Sequence, residues 1–377
     1  LIGGTERIQV GFEDLREKLW FGGADVTYEI TDNLSLTAGY SYSDTSRRSL
    51  SFIIRPLISS SEQFTTVLRA LGLRQPGEII NGATLAVGPD GVPIFNITVS
   101  DPTPFPAFDA GLKIHAGYGL ARYRPTDRLS IEAGVRFEDG LQVAAPDPAF
   151  GSAFQPTPTR IAEQYVLPSG TITWEVIDDL QLRLAASKTI ARPQFRELVE
   201  QTYFDPESNR RFRGNPFLKD SELTNAEARA EYYLSRRNKI SLAGFYKKID
   251  NPIENFLITA PGVIETSYAN APSAELYGGE IDLSYAIDLA NWGGLFETKQ
   301  LLILANYTYT QSRLAVGPDD LAPIPGAPDQ RATNLFDDGA PLVGQSDHVA
   351  NLSIGIEDTE KVQQLTVLLN YASERVT

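Results

Sequence analysis

Charged residues recur in this chain with an apolar or aromatic neighbour on either side: Glu132, Arg136, Glu175, Arg183, Glu227, Arg229 and Glu231. Side chains placed in this way serve ion pairing, either across a wet face of their own structure or against a second protein surface. A basic cluster, Arg210, Arg211 and Arg213, has Tyr203 and Phe204 close by in sequence. Guanidinium groups beside aromatic rings suit an anionic ligand or a phosphate, and they equally suit a solvated loop. The chain has 2 histidines, His115 and His348, too few for a histidine-led metal site. Gly3-Gly4 and Gly22-Gly23 precede no helix and so cannot cradle phosphate on helix amides. No nucleotide-binding loop, nucleophile elbow or paired metal ligands occur, so no catalytic residue, metal or cofactor is expected.

The elements that carry these residues alternate with a period of two, as a strand with two different faces must. Leu180, Leu182, Leu184 and Ala186 oppose Gln181, Arg183, Ala185 and Ser187. Ala226, Ala228, Ala230, Tyr232 and Leu234 oppose Glu227, Arg229, Glu231 and Tyr233, and Ile240, Leu242, Gly244 and Tyr246 form a third apolar row. The connections differ in length: Asp178-Asp179 and residues 235–238 are tight polar turns, whereas a long loop separates Val199 from Thr224. Short turns alternating with long loops are the pattern of a transmembrane β-barrel, with periplasmic turns below and extracellular loops above.

Here the sequence resembles a known family. Ala186-Ser187-Lys188-Thr189-Ile190-Ala191-Arg192-Pro193, then Gly214-Asn215-Pro216, Asn225, Tyr232-Tyr233, Phe245 to Ile249 and Asn251-Pro252-Ile253 are similar, in order, to the barrel signature of TonB-dependent outer-membrane receptors. Ser187, Lys188, Arg192, Pro193, Asn215 and Pro216 are its signature positions. The resemblance implies a barrel of about 22 strands closed around a plug. It implies uptake energised by the TonB-ExbB-ExbD complex, a small-molecule ligand such as an iron chelate, cobalamin or a glycan, and a place in the bacterial cell outer membrane among lipid and lipopolysaccharide. Neither a TonB box nor a plug is recognisable. Residues 1–377 are therefore expected to be part of one barrel domain, with the remainder on both sides.

The alternation continues along the chain. Residues 14–30 read as a descending strand, with residues 1–12 as its upper part or one strand more. Leu34 to Tyr42 rise from the turn at Thr31-Asp32-Asn33. Residues 55–107 form a long extracellular loop, within which Phe64, Val67, Leu68 and Leu71 repeat at helical spacing before Gly72. Leu112, Ile114, Ala116, Tyr118 and Leu120 are read as an outward row, which puts His115 on the lumen face. Leu129, Ile131, Ala133, Val135 and Phe137 follow outward, with Glu132 and Arg136 inward. A brief loop near residues 259–262 leads into a run ending at Ile287, and Trp292 falls at the periplasmic boundary. Residues 316–346 make a second long loop, flanked by the rows Leu301 to Tyr309 and Ala350 to Ile356. The expected fold is all-β: an antiparallel up-and-down barrel segment of about 12 or 13 strands.

With 42% hydrophobic and 21% charged residues, the chain is too apolar to be disordered. No run approaches the ~18 apolar residues of a membrane helix. The net charge of -15 opposes nucleic-acid binding. Without cysteine there is no thiol chemistry, and the absent methionine suggests a piece of a longer precursor. A passive porin is the first competing reading; it would lack the Ser187–Pro193 signature and constrict through an inward-folded loop. An outer-membrane phospholipase is the second, and it would need histidine and serine together on a lipid-facing edge. The leading reading is a receptor rather than an enzyme, with Glu132, Arg136, Glu175, Arg183, Glu227, Arg229 and Glu231 facing the plug or pairing along the wall. Arg210, Arg211, Arg213, Tyr203 and Phe204 are its candidates for ligand or lipopolysaccharide phosphate.

Overall fold

The computed structural model describes residues 10–58, 95–100, 107–147, 157–205, 208–260 and 263–376. One 13-stranded antiparallel sheet dominates it. In spatial order its strands are β1 (Val10–Thr31), β2 (Leu34–Ile58), β4 (Phe108–Thr126), β5 (Leu129–Pro146), β6 (Thr159–Ile177), β7 (Leu180–Ala191), β10 (Ser221–Tyr233), β11 (Lys239–Asp250), β14 (Ser273–Asp288), β15 (Lys299–Ala315), β16 (His348–Asp358) and β17 (Gln364–Ala372). Each of these pairs with the strand before it, and β3 (Phe95–Ser100) adds to the upper end of β2. The sheet is open, with β1 and β17 at its edges. Residues 1–9 lie outside the described residues, and β1 absorbs residues 10–12 as its upper part. The helical spacing at Phe64 to Leu71 also lies outside them.

Cross-strand register fixes which face each residue occupies, since a shift of one residue exchanges the faces. Leu182, Leu184 and Ala186 stand beside Ala230, Ala228 and Ala226, and these beside Leu242, Gly244 and Tyr246. Ile281, Leu283 and Tyr285 continue the row into Tyr307, Ala305 and Ile303, and then Ala350, Leu352 and Ile354. The large side chains of this row are exposed, as lipid-facing residues are: Leu242 keeps 58% of its surface and Leu184 54%. From Leu301 to Tyr309, at about 3.4 Å per residue and a tilt near 40°, the row spans roughly 21 Å of height, close to the apolar band of an outer-membrane barrel.

Two expectations need correction. Tyr40 pairs with Gly117, Tyr42 with His115, and Phe137 with Gly117. His115 is therefore outward, and Leu112, Ile114, Ala116, Tyr118 and Leu120 face the lumen. Both faces of β4 carry apolar or small residues, so its alternation cannot choose between them; the neighbours choose. Bulky Tyr40, Val135 and Phe137 stand against glycines 117 and 119, while inside the Tyr118 ring lies over Gly39, within 2.5 Å of where a Cβ would sit. The second correction concerns the run from residue 263 to Ile287, which is not one strand but two, divided at Ala271-Pro272. At Asn251-Pro252 and Ala271-Pro272 the ladder loses two donors, because proline has no N–H to give it. The Asn251 amide donates to the Pro272 carbonyl at 3.1 Å and the Ala271 amide to the Pro252 carbonyl at 2.8 Å, which carries the pairing across the kink. Asn251 adopts φ +56°. Beyond this kink β12 (Ile253–Ala260) and β13 (Val263–Asn270) form a hairpin of their own. It joins β9 (Arg210–Arg213) and β8 (Thr202–Asp205), from the long loop after β7, in a second, four-stranded sheet.

Candidate functional site

The long loop after β7 turns back over the inner face of the wall. A helical turn, Phe195–Leu198, buries Phe195, Leu198 and Val199 with Phe108, Ala144, Leu218 and Tyr268. Leu112, Ala110 and Ile161 pack around this cluster, which is why β4 needs an apolar inner face. A second core lies under the loop 316–346, where Phe256, Ala269, Ala271 and Ala274 meet Leu314, Val316, Ala322, Phe336 and Leu342. The loops thus have apolar interiors of their own and form a folded cap rather than loose connections.

Asn215 ties three of these connections together and has 0% of its surface exposed. Its Nδ2 donates to the carbonyls of Tyr268 and Pro323, both at 2.8 Å, and its Oδ1 accepts the Phe217 amide at 2.9 Å. At the adjacent Gly214 a Cβ would lie 2.2 Å from the Val199 carbonyl oxygen, so the approach tolerates no side chain. Arg192 anchors the other end of the loop. Its Nη2 donates to Glu138 at 3.0 Å and its Nε lies 3.8 Å from Asp220, which also accepts the Tyr165 hydroxyl at 2.9 Å. Burial pushes the Asp220 carboxyl above its ordinary range, with the Tyr165 bond and Arg192 opposing the shift. The carbonyl of Pro193 accepts the Gln142 amide at 2.7 Å. Lys188 pairs outward with Glu222 at 2.5 Å, Ser187 meets Asn225, and Pro216 is half-buried. Arg192 and Pro193 therefore hold the loop to the wall and Asn215 holds the connections to one another, while Ser187 and Lys188 pair within the wall.

Register puts Glu132, Arg136, Glu175, Arg183, Glu227, Arg229 and Glu231 on the inner face. Most pair within the wall. Arg229 contacts Glu227 at 3.0 Å, Asp282 at 3.3 Å and Glu280 at 3.5 Å. Glu231 accepts Lys239 at 3.1 Å and lies 3.7 Å from Arg183. Arg122 pairs with Glu132 at 2.6 Å and Arg136 with Glu138 at 2.8 Å. Glu175 has no ion pair among the described residues.

The basic cluster divides. Tyr203 is buried at 2% exposure, its ring 5.7 Å from Phe212 and its hydroxyl 3.1 Å from that of Tyr268. It is cap core rather than ligand surface, and burial raises its phenol pKa. Arg213 pairs with Glu200 at 2.5 Å. Arg210, Arg211 and half-buried Phe204 line an open cleft of about 580 Å³ with Leu257 and Ile264.

Sequence reasoning missed Glu254. It is buried at the seam between β12 and the loop 316–346, where it accepts the Val343 amide at 2.9 Å. Burial pushes its carboxyl up to about 7, against the opposing pull of that amide. The histidines fall at matching places on the outer face. His115 Nδ1 is 2.7 Å from the Tyr40 hydroxyl and His348 Nδ1 is 2.8 Å from that of Tyr307. The Ser373 hydroxyl near His348 accepts that residue's backbone amide at 3.1 Å. With the ring held by Tyr307 instead, the pair is not arranged as a base and its nucleophile.

An open antiparallel wall, apolar outside and charged inside, under a folded cap of long loops is the barrel of an outer-membrane receptor. The family model described as TonB dependent receptor-like, beta-barrel matches residues 11–373, and the chain belongs to that family. The passive-porin and phospholipase readings give way to it. Among solved structures, the chain is similar to the copper transporter OprC, with a TM-score of 0.57 and 13% identity over 97% of this chain and 45% of that one. The FrpB iron transporter of Neisseria meningitidis gives 0.51 and 12% over 93% and 43%. The Serratia marcescens hemophore receptor HasR, in complex with HasA and heme, gives 0.51 and 14% over 96% and 59%. These identities bear on fold alone, and the chain spans about half the length of these structures. No curated protein sequence matches it.

Proposed function

We propose that this chain is part of the wall and outer cap of an active-transport receptor. The cap captures a scarce solute, an iron chelate, cobalamin or a glycan, and the TonB-ExbB-ExbD complex energises its passage. Residues 1–377 are then one partial barrel domain, completed by a plug and further strands, with lipid and lipopolysaccharide around it. The observation that carries this reading is the cap itself. Three connections, locked at Asn215, stand above a wall most of whose inner charges are ion-paired. Such a wall suits contact with a second protein body, the plug, because paired charges lose less on leaving water than single ones. The structural neighbours named above are a copper transporter, an iron transporter and a hemophore receptor, which supports uptake as the class of activity.

Growth tests this directly. A strain lacking the full-length protein should grow more slowly when one solute class is limiting, and the intact gene should restore growth only in cells that retain TonB. Equal growth of deletion and parent on limiting iron chelates, cobalamin and glycans would refute uptake of those solutes. Restoration without TonB would refute the energy source.

A further inference from the structure

Within that uptake reading, on which this inference rests, we infer that the cleft at the tip of the cap takes an organic anion with an apolar body. Arg210 and Arg211 would hold the acid group, and Phe204, Leu257 and Ile264 the body.

Leu257 is 59% exposed and Ile264 68%. Both belong to the hairpin that leaves the wall beyond Asp250 and Ser273, so their exposure is not contact with lipid. Elsewhere in the same small sheet large apolar groups are covered, as Phe256, Tyr203 and Tyr268 are. Two uncovered branched side chains beside two guanidinium groups make a surface with one apolar and one cationic part.

The arginines are available. In a chain of net charge -15, carboxylates outnumber the bases, and Arg213, two residues on, is already paired. Arg210 and Arg211 form no ion pair and no side-chain hydrogen bond among the described residues. The acids nearest in register are engaged elsewhere. Asp205, opposite Arg210, accepts the Ser208 hydroxyl at 2.7 Å; Glu265, opposite Arg211, accepts the Thr202 hydroxyl at 3.4 Å. The backbone that carries both arginines is fixed on two sides, antiparallel to β8 and parallel to β13. Adjacent guanidinium groups on a held strand offer forked donors to a carboxylate, sulfonate or phosphate. An apolar body beside them keeps water from the ion pair, which strengthens it. A cation would meet repulsion at the same place, and a neutral sugar would leave both charges unanswered.

The test uses two aromatic probes of one shape, 2-naphthoate and its neutral amide 2-naphthamide. Their binding to the full-length protein in lipid nanodiscs is followed by saturation-transfer NMR. The acid should bind about tenfold more tightly than the amide, a ratio that reflects the charge alone. Arg210→Gln with Arg211→Gln should abolish the preference and leave amide binding as it was. Leu257→Ser with Ile264→Ser should weaken both probes. Arg213→Gln should keep the preference, and unchanged circular dichroism shows that each variant folds. Equal affinity for acid and amide, no binding of either, or a preference that survives the double arginine variant would overturn the site. Each of those results leaves the growth test of uptake untouched, so the two ideas fail separately.

Discussion

Asn215→Ala should loosen the cap and spare the wall. The side chain makes three hydrogen bonds, to the Tyr268 and Pro323 carbonyls and from the Phe217 amide. At a net value of about 1 kcal/mol each, their loss costs about 3 kcal/mol. Alanine also leaves these backbone groups buried without partners, which adds to the cost; water entering the vacated space subtracts from it. At 1.36 kcal/mol per tenfold, about 3 kcal/mol raises the opening equilibrium of the cap by about two powers of ten. Hydrogen exchange is the assay, because it reads local opening segment by segment. Amides of residues 263–271 should exchange about a hundredfold faster in the variant, while those of β5 and β6 in the wall keep their protection. Asn215→Asp should do more damage, since it sets an acceptor against two carbonyls. Unchanged exchange in residues 263–271 of a folded Asn215→Ala variant would refute the idea that this residue locks the cap.

Three further outcomes are expected. The Glu254 carboxyl is raised by burial to about 7, so the docked loop binds its proton more tightly than the released loop does. Docking against the loop 316–346 should therefore be strongest below about pH 4.5, weaken by up to roughly 1.4 kcal/mol per pH unit as pH rises to about 7, and level off above it. Glu254→Gln should remove that slope in hydrogen exchange at Val343. Gly214→Ala forces a Cβ against the Val199 carbonyl oxygen and should lower cap stability by about 1–3 kcal/mol, read as faster proteolysis of residues 195–218. Arg229→Gln leaves Glu227, Glu280 and Asp282 facing one another without their shared cation. The wall should lose about 1–2 kcal/mol, seen as a lower urea midpoint for barrel unfolding.

How much of this was legible in the sequence differed from strand to strand for a physical reason. In β10 a small apolar residue alternates with a charged one, so only one assignment of faces avoids placing Glu227, Arg229 and Glu231 in lipid. In β4 both assignments are tolerable residue by residue, and the choice belongs to Tyr40 and Phe137 on either side and to the Phe195 turn laid over Leu112. Parity therefore placed the wall charges and misplaced His115. The cap was less legible still. Asn215 was visible as a motif, but its two acceptors lie 53 and 108 residues away in sequence. Which arginines of the basic cluster stay unpaired depends on Glu200, which takes Arg213 and which no spacing rule selects. The break at Asn251-Pro252 was within reach, since two X-Pro steps frame residues 253–270 and proline does not belong inside a central strand.

The two histidine contacts also bear on what the cap can meet. They lie near opposite ends of the sheet, between β2 and β4 and between β15 and β16, each with a tyrosine hydroxyl on Nδ1. Below them the outward row is apolar. Just above them it turns to ion pairs, Lys113 with Asp44 at 3.6 Å and Arg313 with Glu275 at 2.6 Å. Ionised side chains do not remain on the lipid face at hydrocarbon depth, so at each end of the sheet the membrane boundary lies below these ion pairs. Aromatic rings gathering at that height are what an interfacial belt requires. Asp250 and Ser273, where the β12–β13 hairpin departs, lie higher again, since Ser273 pairs with Ala315 beyond Arg313. The whole cap therefore stands in water, and Leu257 and Ile264 are exposed to solvent at a hydrophobic cost that lipid does not relieve.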